Sequence, residues 1–154
     1  MARILIAEDD PLVFSFIEKR LRKAGYATQV ADDGDKAIEF ALNGDFDLVL
    51  LDMALPSRDG FEVLQEVRRR GSQIPVIVVT GRPEMRDLVA RLSVGSADFM
   101  VKPFRFDELL ARVRAHLRSH GMRADSDVVV ATQDAEGSPP SVDPPSENGR
   151  RGAG

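Results

Sequence analysis

The chain has 154 residues, a net charge of −4 and a hydrophobic fraction of 43%, enough for one ordinary domain with a real core plus some remainder. It contains no cysteine, which excludes disulfides and thiolate metal sites, and its acidic balance gives no general electrostatic case for binding nucleic acid. No stretch reaches the roughly 18 uninterrupted apolar residues of a membrane span, and "MARILIAEDD" has too short an apolar run for a signal peptide, so the sequence reads as soluble and cytoplasmic, with no membrane contact.

Short apolar runs and helical patterns alternate over the first 120 residues. "RILIA" (Arg3 to Ala7) is the first run. Asp10 and Pro11 then make a favourable helix start, cap followed by first helical position. Leu12, Val13, Phe16, Ile17 and Leu21 share one helix face, and Gly25 follows as the stop. "ATQVA" (Ala27 to Ala31) is a weaker second run, followed by Ala37, Ile38 and Ala41 at helical spacing. "DLVLL" (Asp47 to Leu51) leads to a third helix marked by Val63, Leu64 and Val67. "PVIVV" (Pro75 to Val79) leads to a fourth, marked by Met85, Leu88, Val89 and Leu92. "DFMV" (Asp98 to Val101) precedes the clearest helix, with Phe106, Leu109, Leu110, Val113 and Leu117 on one face. Continuous apolar runs suit strands buried on both faces. Five alternations of strand and helix predict a doubly wound parallel sheet with right-handed crossovers, the first and last helices sharing a face.

Composition changes near residue 120. Four of the nine prolines lie between Pro139 and Pro145, and large apolar residues are scarce beyond the short cluster Val128 to Val130. Such a segment cannot bury enough surface to offset its ordering entropy, so residues 120–154 are expected to form a disordered, acidic tail after a domain at 1–119. From Gly121 onward the tail has three basic and six acidic residues, so no DNA-binding arm is expected in it. His116 and His120 have no carboxylate at catalytic spacing and receive no role.

In open parallel sheets, function gathers at the carboxyl ends of the strands. There the first strand delivers Glu8, Asp9 and Asp10, the third Asp52, the fourth Thr80 and the fifth Lys102. If Glu8, Asp9 and Asp52 converge they repel, by roughly 4 kcal/mol for a pair about 4 Å apart at an effective dielectric near 20. Either a proton is taken up or a cation binds. Carboxylate oxygens without His or Cys favour Mg²⁺, with Mn²⁺ and Ca²⁺ less specific. An aspartate fixed at the end of a buried strand, facing a metal, a lysine and a threonine hydroxyl, suits a nucleophile attacking phosphorus.

The stretches "ILIAEDD" (Ile4 to Asp10), "DLVLLDMALPSRDG" (Asp47 to Gly60), "PVIVVTG" (Pro75 to Gly81) and "GSADFMVKPF" (Gly95 to Phe104), in this order, resemble the receiver domain of bacterial two-component response regulators over about residues 2 to 119. The resemblance implies a flavodoxin-like (βα)5 sheet with strand order 2-1-3-4-5. It implies that Asp52 accepts a phosphoryl group from the phosphohistidine of a sensor histidine kinase or phosphotransfer protein. Asp9 would ligate Mg²⁺ directly and Glu8 through water, with Asp52 and the Ala54 carbonyl completing the protein's share. Thr80 and Phe99 would form the switch, and Lys102 would pair with the phosphoryl group, next to a cis bond to Pro103. The last third is similar to the winged-helix, OmpR-like subgroup, which pairs through its fourth helix, fifth strand and fifth helix. Arg91, Asp98, Glu108 and Arg112 fall where its intersubunit ion pairs lie, though Ala97 replaces an acid usual in that subgroup. Beyond residue 120 too little chain remains for a winged-helix DNA-binding domain.

Weighed against this are three other readings. A phosphatase of the haloacid-dehalogenase type needs a second Asp at position 54, which is Ala. A nucleotide-binding domain needs a glycine-rich first loop, which reads "AEDDPLV". The third is a receiver fold used without phosphorylation, as an adaptor. The expectation is a signalling phosphoacceptor and not a turnover enzyme, either standing alone or as the truncated half of a DNA-binding transcription regulator.

Overall fold

The structure, a computed structural model, describes residues 1–92 and 97–119, with only the backbone for Leu92. The expected tail at 120–154, with Val128 to Val130 and His120, lies outside the described residues. The elements run β1 (Arg3–Ala7), α1 (Pro11–Lys23), β2 (Ala27–Ala31), α2 (Gly34–Asn43), β3 (Leu48–Asp52), α3 (Gly60–Arg69), β4 (Val76–Thr80), a short 3-10 turn (Pro83–Met85), α4 (Arg86–Leu92), β5 (Ala97–Val101) and α5 (Phe106–Ser119). All strand pairs are parallel, in the order β2-β1-β3-β4-β5. This is the doubly wound (βα)5 sheet that the alternation predicts. Among the described residues no helix is long and apolar enough to cross a membrane.

Each central strand carries an unbroken apolar run because it faces two cores. Ile4 and Ile6, Leu48 and Leu50, and Ile77 and Val79 point to the side covered by Ile17 and Leu21 of α1 and Leu109, Val113 and Leu117 of α5. Their alternates Leu5 and Ala7, Val49 and Leu51, and Val76 and Val78 point to the side covered by α2, α3 and Val89 of α4. The period-two alternation of strand side chains makes this division. Burial of each Leu, Ile or Val contributes roughly 1.5–3 kcal/mol, so these two layers hold the sheet edge rigid.

The helix ends follow local chemistry. Asp10 caps α1 by accepting from the Leu12 amide at 3.0 Å, with Pro11 at the first helical position. Asp59 and Glu62 form a reciprocal capping box at α3. α1 ends as expected at Gly25, whose φ of 100° lets the Gly25 amide reach Arg22 and the Tyr26 amide reach Leu21.

Three apolar positions differ from the expected helix faces. Leu12 is 83% exposed, Phe16 50% and Leu88 38%. On α1 Val13, Phe14, Ile17 and Leu21 meet the core, and Leu12 lies off that strip. Phe16 packs edge-on against Phe106 at 6.2 Å, with the Arg20 guanidinium over both rings. On α4, among the described residues, Val89 is the side chain buried in the core.

Candidate functional site

β1 and β3 are neighbours in register, Ala7 beside Leu51, so the residues that follow each strand emerge together. Glu8 and Asp52 are 4% and 6% exposed, while Asp9 is open to solvent. One carboxylate oxygen from each of Glu8, Asp9 and Asp52 lies within 4.8 Å of the others. The Lys102 amide is fixed by the Thr80 carbonyl at 2.8 Å, which aims its side chain back across β4. Lys102 Nζ meets Asp52 Oδ2 at 2.9 Å and Glu8 Oε1 at 3.6 Å. Asp52 Oδ1 accepts from the Ala54 amide at 3.1 Å.

Two buried carboxylates share one ammonium, with Asp9 beside them, and the crowding appears at Glu8. Burial first, and then the neighbouring Asp52 carboxyl, push the Glu8 carboxyl up to about 7. Burial alone would lower Lys102, but the Asp52 and Glu8 carboxylates outweigh it and hold the ammonium above its usual value. A divalent cation would relieve the same crowding. The donor set fits one: hard oxygens, no His or Cys, an exposed Asp9 and room for water.

Thr80 is 3% exposed and its Oγ1 accepts from the Arg82 amide at 3.0 Å. It borders a cleft of about 310 Å³ with Asp52, Lys102, Arg82, Phe61 and Met85. The last three were not expected at the site, although Met85 was read as part of the fourth helix. Arg82 had a signal, since it stands two residues beyond a strand-end hydroxyl. Gly60 explains why a glycine closes "DMALPSRDG": a Cβ there would strike the Asp52 carbonyl oxygen and lie 2.7 Å from the Met53 Cα. The Gly60 amide instead returns to the Met53 carbonyl at 3.0 Å.

Phe99 is 6% exposed in the core over α4, with the Arg86 guanidinium 4.8 Å from its ring centre. The Lys102–Pro103 bond is cis. Of the four residues expected at a dimer surface, three meet within the chain. Arg112 reaches Asp98 at 2.7 Å and Glu108 at 3.3 Å. Arg91 is exposed on α4 and has no ion pair among the described residues. His116, which received no role, sits with Nε2 3.0 Å from Asp98 Oδ2. Its signal was the stripe Glu108, Arg112, His116 at i, i+4, i+8 on α5, returning past the start of β5. Burial works against the Asp98 charge, but His116, the Phe99 amide and Arg112 overcome it and hold the carboxyl below its usual range.

Fold and site define a class of protein: a doubly wound sheet carrying an acidic, lysine-bridged cleft at the carboxyl edge of β1, β3 and β5. Within it, the chain belongs to the response regulator receiver domain family, whose model matches residues 4–114. It is 41% identical over 120 residues to the transcriptional regulatory protein DltR of Streptococcus agalactiae, covering 78% of this chain and 54% of that one. It is 40% identical over 134 residues to the transcriptional regulatory protein HprR of Escherichia coli, covering 80% and 60%. The chain thus spans little more than half the length of these curated relatives. Among solved structures it is similar to the response regulator TrrA of Thermotoga maritima in complex with Mg²⁺-BeF, at 32% identity and a TM-score of 0.69, over 76% of this chain and all of that one.

Proposed function

We propose that this domain accepts a phosphoryl group on Asp52 from the phosphohistidine of a partner kinase or phosphotransfer protein, as a cytoplasmic signalling switch and not as a turnover enzyme. The observation that carries the reading is the buried Asp52 carboxylate, 2.9 Å from Lys102 and clustered with Glu8 and Asp9. Asp9, Asp52 and the Ala54 carbonyl would hold Mg²⁺, with Glu8 acting through water. A bound Mg²⁺ supplies positive charge for the oxygens of the transferring group.

A carboxylate oxygen of Asp52 attacks phosphorus as the phosphorus–nitrogen bond breaks, and the leaving imidazole keeps the electron pair and takes up a proton. Burial at a strand end holds Asp52 in line and keeps competing water away. Lys102, already at the carboxylate, stabilises charge on the incoming oxygens. Thr80 lies on the same cleft and can donate its hydroxyl to the phosphoryl group while keeping the Arg82 amide as donor. Phe99, opposite Val78 on β5 and two positions back in register from Thr80, would follow the Thr80 movement. The change would then reach the surface of α4, β5 and α5, where a partner or a second copy binds. Ala54, where a phosphatase of the haloacid-dehalogenase type needs an acid, argues against rapid turnover.

A second reading of the output has its own support. DltR and HprR are named as transcriptional regulatory proteins, so control of transcription by a longer protein is an alternative to signalling by protein contacts alone.

The test is intact mass after incubation with Mg²⁺ and acetyl phosphate. One added phosphoryl group, absent in Asp52→Asn and with chelator, is expected. No gain in the wild type would instead point to a receiver fold acting as a phosphorylation-independent adaptor.

A further inference from the structure

α2 begins with amides that its own helix cannot satisfy. One of them is met locally, the Lys36 amide by the Asp33 side chain at 2.8 Å, and the helix's own bonding begins with the Ala37 amide on the Asp33 carbonyl at 3.0 Å. Two others are met by the loop that follows Asp52. The Gly34 amide donates to the Pro56 carbonyl at 3.0 Å and the Asp35 amide to Ser57 Oγ at 3.3 Å. The loop therefore caps a helix that is remote from it in sequence.

Two further features build this contact. Gly34 is buried, and a Cβ there would overlap the Arg58 carbonyl oxygen and stand 2.5 Å from the Arg58 Cβ. Glycine alone allows the loop so close. Ser57 holds a φ of 65°, the left-handed region, at the point where its hydroxyl meets α2. The Arg58 to Asp35 ion pair at 3.4 Å is exposed and adds little.

The same loop carries Ala54. Its start is tied by the Ala54 amide to Asp52 and its end by the Gly60 amide to Met53. Leu55 is buried between them. Among the described residues, residues 56–58 are held by the Arg58 amide on the Pro56 carbonyl and by their bonds to α2. We infer that Pro56 and Ser57 form a brace through which α2 positions the loop carrying Ala54, so that cation binding at Asp52 and order in the first turn of α2 are coupled. The inference rests on the metal reading above and adds Ser57 and Gly34 as positioning residues. Coupling of this kind is reciprocal: whatever factor the brace contributes to cation affinity, the cation returns to the brace.

The test uses Mg²⁺ itself, titrated by calorimetry, with amide hydrogen exchange at Gly34 and Asp35 read by NMR. Ser57 is exposed, so substitutions there leave the fold intact. Ser57→Ala and Ser57→Gly both remove the acceptor, and Gly also removes the backbone strain; both are expected to weaken Mg²⁺ roughly threefold, in keeping with one neutral hydrogen bond. Ser57→Asn restores a side-chain acceptor and tolerates the left-handed conformation, and is expected to bind as the wild type does. In the wild type, Mg²⁺ is expected to slow exchange at Asp35, and in Ser57→Ala it is not. Equal affinity in Ser57→Ala, Ser57→Gly and wild type, or exchange at α2 that ignores Mg²⁺, overturns the coupling while leaving the metal site intact. A wild type that binds no Mg²⁺ overturns the metal reading and the coupling together.

Discussion

Glu8 offers the sharpest quantitative handle on the site. Its carboxyl rises from the ordinary 4.5 to about 7 in the folded protein. Between those values the folded state holds a proton that the unfolded state has released, so stability falls as pH rises. The contribution is harmless below pH 4.5 and complete above about 7. At about 1.4 kcal/mol per pH unit, the full effect is about 3 kcal/mol. Metal-free protein is therefore expected to lose stability from pH 5 to 7 and then level off. Glu8→Gln, which keeps the shape and removes the charge, is expected to flatten this limb and to exceed the wild type at pH 7.5 by up to about 3 kcal/mol. Saturating Mg²⁺ should flatten the wild-type limb as well, because the cation takes the place of the proton. By linkage, Mg²⁺ affinity should rise up to about tenfold per pH unit over the same window. The assay is urea denaturation at four pH values, with chelator and with Mg²⁺, for both proteins. The difference between the two proteins isolates Glu8 from other titrating groups. An identical slope in Glu8→Gln would refute the reasoning, since the crowding of carboxylates would then have no energetic consequence.

Other consequences follow from the same geometry. Lys102→Met should lower metal-free stability by about 1–2 kcal/mol, because Asp52 loses its partner at 2.9 Å, and Mg²⁺ should recover most of that loss in the same denaturation assay. Gly60→Ala forces a Cβ against the Asp52 carbonyl and should cost about 2–3 kcal/mol and slow phosphorylation by acetyl phosphate, followed by intact mass. Leu64→Ala, at a fully buried position, should cost about 2–5 kcal/mol in thermal or urea unfolding, whereas Leu12→Ala should stay within about 0.5 kcal/mol. Asp98, held below its usual range, contributes stability that is present above the ordinary carboxylate pKa and lost as pH falls through the folded value; Asp98→Asn should remove that part of the acid limb.

Much of the fold was legible because its strands are buried on both faces. A strand facing two cores needs no polar alternation, so "DLVLL" and "PVIVV" stood out as unbroken runs. Their ends still shifted by one residue. β3 includes Asp52 and omits Asp47, and β4 includes Thr80 and omits Pro75, because pairing continues until the chain turns, whatever the polarity of its last residue. Helix faces were less legible. Periodicity identifies which residues share a stripe but not how wide a strip the sheet offers. On α1 the core takes Val13, Phe14, Ile17 and Leu21, which left Leu12 and Phe16 outside it.

The site divides along the same principle. Residues at strand ends could be placed from sequence because a parallel sheet brings all its carboxyl ends to one edge, so Glu8, Asp9, Asp52, Thr80 and Lys102 had to be neighbours once the strands were right. Contacts made by helices and loops carried no such guarantee. The Asp98 to His116 pair depends on where the last turn of α5 passes the first residues of β5, a matter of helix length and tilt. The cap that Pro56 and Ser57 place on α2 joins a loop to a helix start 22 residues away, and no periodicity encodes it. Its one trace in the sequence is Gly34 at the start of a helix, a place where glycine is only a modest cap. That residue makes sense only when the Arg58 backbone lies against it. Glycines at positions that local structure does not require are thus the signal by which such long-range braces can be sought in a sequence.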